Sequence, residues 1–224
     1  MEDAMNYDYR AFEGLRDIEA AKQFVPFNAE KIGLLGDVIC RHGFAEAVGV
    51  SLLHRHFSLG HNERLVTRFS DGGWKAEPKV LGSEEVRPFN WKLERNNISG
   101  EWYFVPLEFF EVDTQVANEA SQSDEVMKNH EFLSDIAKKI EELEVEDIFG
   151  ISLLMDGKAP AHNIYFERND SKNRIMVASL VSESEITSRE GVTLWNFKEA
   201  ARGVTSEAGI TKGCAHGNSR HCCG

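Results

Sequence analysis

The sequence predicts an α+β fold: two helix-plus-antiparallel-sheet halves in one pseudo-twofold domain, followed by a flexible Cys/His-rich C-terminal tail. Three observations carry this. Val48-Gly49-Val50-Ser51-Leu52-Leu53 and Phe149-Gly150-Ile151-Ser152-Leu153-Leu154 match at an offset of 101 residues. Each run follows an amphipathic helical pattern and precedes strand-like segments, and alternating helix and antiparallel strand patterns specify an α+β class. The tail then packs three of the four cysteines and two of the eight histidines into residues 214–223.

In chain order, residues 1–27 read as an N-terminal extension ending at Pro26, which argues against a helix running through. Asn28 caps a helix over about 29–42, with Ile32, Leu35, Val38 and Ile39 on one face and Gly43 beyond its end. Residues 48–57 read as a strand, 58–62 as a turn and 64–69 as the returning strand of a hairpin. Residues 70–100, rich in Gly, Pro, Asn and charge, read as a long loop with at most one short strand. A loop of that length suits a lid, with Trp74 and Trp91 as its ligand-touching aromatics. Trp102 to Val112 is a strand whose Pro106 implies an edge or a bulge. Ser121 and Asp124 open a helix over about 124–145, with Val126, Leu133, Ile136, Ile140 and Leu143 as its apolar stripe. Four more strands follow at 148–155, 163–168, 174–181 and 192–197. The domain therefore spans 28–197, with halves 28–112 and 123–197, and the tail spans 198–224.

Composition narrows the function classes. Of 224 residues, 42% are hydrophobic and 28% charged, as in an ordinary folded chain. No run of about 18 apolar residues occurs, so no membrane span is expected. Met1-Glu2-Asp3-Ala4 lacks the basic and apolar start of a secretion signal, which places the chain in the cytoplasm. With 25 Lys plus Arg against 37 Asp plus Glu, the net charge of −12 opposes binding to nucleic acid, whose affinity comes from phosphate neutralisation. The stretch 108–147 is the most acidic and reads as a solvated helix face or as a docking face for a basic partner.

Two constellations carry chemistry. The first is the tail: Cys214, His216, His221, Cys222 and Cys223 are thiolate and imidazole ligands of the kind Zn(II) and Cu(I) prefer. Their spacing is not that of a zinc finger, and Gly213, Gly217 and Gly224 imply a site ordered by its metal. The second is His54-Arg55-His56. On a strand, positions 54 and 56 share a face with Val50 and Leu52, so a core face ends in two imidazoles that can reach one ion or serve as acid and base. Glu63 is the carboxylate expected to join them. The corresponding positions of the second half are Met155 and Gly157, so the histidines belong to the first half alone. Searches for a phosphate-binding loop, a dinucleotide fingerprint and a nucleophile elbow find none.

The run Gly49 to Phe57, the later Glu63-Arg64-Leu65-Val66 and Trp195-Asn196-Phe197 before a Cys/His terminus together resemble a family of fungal (ascomycete) proteins. That resemblance implies an intact domain plus tail and no particular activity. Three functions follow from the residues. One is a binding protein holding Zn or Cu(I) in its tail. Another is an enzyme using His54 and His56 (with Glu63) in a pocket between the halves, its small-molecule ligand lying under the 70–100 loop. The last is an interaction module using the acidic face.

Overall fold

A computed structural model describes residues 7–70, 72–80, 82, 84–113, 115–155, 163–182, 191–198 and 207–215. The chain is mixed α+β. Its helices are α1 (Tyr9–Glu13), α2 (Ile18–Ala21), α3 (Val25–Arg41), α4 (Ala117–Lys128) and α5 (His130–Glu142), with a 3-10 turn at Lys22–Phe24. Its strands are β1 (Val48–Leu52), β2 (Glu63–Ser70), β3 (Gly73–Val80), β4 (Val86–Arg95) and β5 (Trp102–Glu111). They continue with β6 (Phe149–Leu153), β7 (Asn163–Asp170), β8 (Ile175–Ser182), β9 (Gly191–Lys198) and β10 (Glu207–Ala215). Among the described residues no helix is long and apolar enough to cross a membrane.

The strands form one sheet that closes on itself in the order β1-β6-β4-β5-β2-β3-β8-β7-β10-β9. Closure removes exposed edges. Among the described residues, the strand pairs are antiparallel except β2–β5 and β7–β10. The expected pair of antiparallel sheets is therefore one barrel with two parallel seams. The expected hairpin between 48–57 and 64–69 does not form either. β1 pairs with β6 and β9, while β2 forms its hairpin with β3. Adjacent strand patterns fix which segments are strands but leave open which partner each one finds.

Local chemistry explains the other departures. Pro26 occupies the first turn of α3, where a missing N–H costs nothing, so the helix starts before Asn28 rather than at it. The helix expected over 124–145 is broken at Asn129, whose side chain accepts from Phe132 N at 3.0 Å and caps α5. Residues 70–100 hold β3 and β4 rather than a lid, and Trp91 and Trp74 are core residues at 0% and 6% exposure. Pro106 faces Trp91 beside a register shift in β4, in keeping with the expected bulge. Part of the segment read as tail, 207–215, is β10.

The larger core cluster joins Ile32, Leu35 and Ile39 of α3 to Phe132, Ile136 and Ile140 of α5, over Val50, Ile151, Trp91 and Trp195 of the barrel. Helix α3 comes so close to β9 that a Cβ on Gly36 would lie 2.2 Å from the Phe197 ring. A second cluster gathers Phe12, Leu15, Leu53, Phe57, Leu65, Trp74 and Met176. This second cluster borders the histidine segment.

Several bonds recur 101 residues apart. Phe44 N donates to Ile39 O, and Val145 N to Ile140 O. Val48 N donates to Phe44 O, and Phe149 N to Val145 O. Gly43 and Glu144, each just past a helix end, have φ of 76° and 53°. A Cβ on Gly49 would lie 2.5 Å from Trp195 O and 2.9 Å from a Leu154 methyl. A Cβ on Gly150 would lie 2.3 Å from Trp91 O and 2.8 Å from a Leu53 methyl.

Candidate metal centre

The histidine segment leaves the sheet at the end of β1. Leu53 N still donates to Ile148 O at 2.8 Å, but Arg55 N turns to Arg16 O at 2.8 Å and forms an isolated bridge with Asp17. The segment is thus drawn to the N-terminal helices rather than to a neighbouring strand. His54 and His56 are 7% and 5% exposed, with ring centroids 4.6 Å apart and planes at 73°. The i, i+2 spacing brings the two imidazoles together, although the extended strand expected beneath them stops at Leu52.

The carboxylate that joins them is Glu167 on β7, wholly buried. One ligand atom from each of His54, His56 and Glu167 lies within 4.8 Å of the others. Among the described residues, no other group of three or more potential ligands is as close. A transition-metal ion takes such ligands at about 2.0–2.2 Å, so rotamer-scale adjustment would close the three around one ion. His54 Nδ1 donates to Leu52 O at 2.8 Å, which leaves the lone pair on Nε2. A backbone carbonyl fixing the tautomer this way is the usual outer-shell partner of a ligating imidazole. A fully buried carboxylate requires positive charge or donors nearby, and imidazoles meet that need as imidazolium or through a shared cation.

Glu63 is placed elsewhere. It makes a bidentate ion pair with Arg174, and its Oε2 also accepts from Gly60 N at 2.6 Å. The Arg174 hydrogen bond holds its carboxyl below the ordinary range. Among the tail candidates, Cys214 lies in β10, whose backbone runs parallel to β7 with Cys214 in register with Glu167. His216, His221, Cys222 and Cys223 lie outside the described residues.

Sequence reading missed Glu167. The available signal was alternation: Tyr165, Glu167 and Asn169 share one face of a strand, and a carboxylate there needs a reason. Only the barrel's closure brings that face to the histidines, 111 residues earlier in the chain.

A second buried polar group lies on β1, β4 and β5. Ser51 Oγ donates to Asn90 Oδ1 at 3.0 Å, and Asn90 Nδ2 donates to Glu108 Oε1 at 2.9 Å. Glu108 is 3% exposed, so it is no part of the acidic face to which the sequence assigned it. A small cavity of about 20 Å³ is bounded by Thr67, Trp74, Ser152 and Met155 among others. That is room for a water molecule.

No protein-family model, curated protein or solved structure matches this chain.

Proposed function

We propose that this protein binds a divalent transition metal inside its barrel through His54, His56 and Glu167, and that the ion staples the segment after β1 to β7. The convergence of three buried ligand side chains within 4.8 Å carries the reading. Two imidazoles and one carboxylate suit Zn(II), and they equally suit Fe(II) in an open facial arrangement. They do not suit Cu(I), which favours thiolate and thioether. Because the histidines follow β1 and the glutamate lies on β7, one ion cross-links positions 111 residues apart. Its binding energy therefore adds to folding energy.

Three protein ligands leave a fourth position. Occupied by water, that position gives the enzyme reading: a metal lowers the pKa of its water toward 7 and makes a hydroxide nucleophile. In that case His54 and His56 are ligands rather than acid and base. Occupied by the protein, it gives a closed structural site. Cys214, whose backbone pairs in register with Glu167, is our candidate for that fourth ligand. A tail that binds metal alone, through Cys214, His216, His221, Cys222 and Cys223, is the second reading.

We also infer that the halves are one unit repeated, with a pseudo-twofold axis between β1 and β6. The bonds and glycine contacts that recur 101 residues apart support this, as does a register in which Val50 faces Ile151. On that inference Met155 stands where the first half has His54, so the centre arose in one copy only.

Elemental analysis of purified, untagged full-length chain tests the proposal. We expect one zinc or iron per chain, retained when the chain ends at Ala215 and lost in Glu167→Gln. Metal retained in Glu167→Gln but lost on that truncation would establish the tail reading instead.

A further inference from the structure

The hairpin that carries Glu167 also grips the segment that carries the histidines, at three points outside the ligand set. Asn169, two residues along the same face of β7, donates through Nδ2 to His56 O at 2.7 Å. Arg174, in the turn just before β8, donates to Ser58 O through Nε at 3.1 Å and through one terminal nitrogen at 2.8 Å. The same guanidinium closes the bidentate pair with Glu63. Ser58 and Glu63 bracket the turn that follows His56. The residues between them are held from within by Gly60 N on Glu63 and from the other side by Leu59 N on Glu13 Oε1 at 2.6 Å.

The turn itself is built to present Arg174. Asp170 accepts from Asn173 N at 3.1 Å and from Asn173 Nδ2 at 2.7 Å, and Arg174 adopts a φ of 56°. A left-handed conformation in a non-glycine residue costs about 1 kcal/mol or more, and glycine would take it more cheaply. Arginine is kept there while its side chain reaches the backbone of another element more than a hundred residues away.

We propose that Asn169 and Arg174 are positioning residues for the metal centre: they fix the backbone at His56 and just after it relative to Glu167, so that the β7–β8 hairpin sets metal affinity without touching the ion. This rests on the His54–His56–Glu167 reading. Coordination by a short, rigid ligand set depends on the placement of the backbone that carries it. Outer-shell partners of metal ligands are commonly worth 10–100-fold in affinity.

Arg174→Gly separates positioning from folding. Glycine relieves the left-handed φ while removing every guanidinium contact, so thermal stability of the metal-free variant should stay close to that of the unsubstituted chain. Zinc affinity, measured on the full-length chain by competition with a chromophoric chelator, should fall roughly 10–100-fold. The absorption of the cobalt(II)-loaded form, which reports ligand geometry, should change with it. Asn169→Asp, which puts an acceptor against His56 O, should weaken zinc to a similar degree, and Arg174→Lys should recover part of the Arg174→Gly loss. Equal zinc affinity and an unchanged cobalt spectrum in folded Arg174→Gly and Asn169→Asp overturn the positioning role while leaving the metal centre standing. An unsubstituted chain that binds neither ion overturns both.

Discussion

Glu108 and Glu167 are both buried carboxylates on barrel strands, and their surroundings differ in kind. Glu108 sits beside Asn90, which is itself held by Ser51, so one oxygen meets a neutral amide in a chain of hydrogen bonds. Glu167 sits beside two imidazoles, with the backbone of a cysteine in register on the adjoining strand. Burial alone makes both expensive. What separates them is the chemistry of the neighbours: the Asn90 amide meets Glu108 with a neutral hydrogen bond and accepts one in turn from Ser51, whereas imidazoles can share a cation. A buried acid is thus a question put to its cross-strand partners, and the answer decides between scaffold and site.

The largest expected effect breaks this comparison directly. Glu167→Gln and His54→Ala should each cut zinc affinity by well over 100-fold, since losing a ligand exceeds the roughly 10–100-fold cost of losing an outer-shell partner. Glu108→Gln should leave affinity unchanged. Adding zinc at a hundred times its dissociation constant should stabilise the unsubstituted chain by about 2.7 kcal/mol and the Glu167→Gln chain by less than about 0.4 kcal/mol, as followed by thermal unfolding. Affinity should also fall on acidification, because ligation requires deprotonated imidazole and carboxylate.

The next effect tests the two halves against each other. Gly49→Ala and Gly150→Ala each drive a Cβ against a tryptophan carbonyl, at 2.5 and 2.3 Å. Both should cost about 3 kcal/mol, the upper end for overpacking, because backbone rather than a flexible side chain must yield. Equal costs in chemical denaturation are what a repeated unit predicts, and unequal costs would count against it. Asn90→Leu strands the Glu108 carboxyl without its donor and should cost about 2 kcal/mol while leaving metal stoichiometry intact.

The smallest effect concerns Glu63. Its carboxyl is held below the ordinary range by Arg174, so its stabilising contribution is present above the unfolded value near 4.5 and is lost as pH falls through the lowered folded value. The pair is partly exposed, so its worth is below about 1 kcal/mol. Glu63→Gln should lower stability by up to that amount above pH 6 and leave it unchanged at the acid end, below the lowered folded value, which flattens the acid limb of the profile.

Much of the fold was legible in local pattern. The apolar stripes of α3 and α5, the runs of β1 and β6 and the strands from 163 to 197 follow from periodicities of 3.6 and 2. What escaped was non-local. Residues 73–80 and 86–95 are strands despite Pro78, Pro88 and a high charge content, because closing the barrel supplies partners that local propensity cannot foresee. The site divides the same way. His54 and His56 stand two apart, and their pairing is visible in the sequence. Glu167 is one acidic residue among thirty-seven Asp and Glu. Only the strand order places it opposite the histidines, and only that order removes Glu63 to Arg174.

X-ray absorption at the zinc edge of stoichiometrically loaded, untagged full-length protein tests the central claim most directly, because zinc–nitrogen and zinc–oxygen bonds near 2.0–2.2 Å separate from zinc–sulfur bonds near 2.3 Å. An interior centre built on His54, His56 and Glu167 predicts a nitrogen and oxygen shell with imidazole scattering and at most one sulfur, from Cys214. A shell with two or more sulfurs would contradict it and move the metal to the C-terminal cysteines.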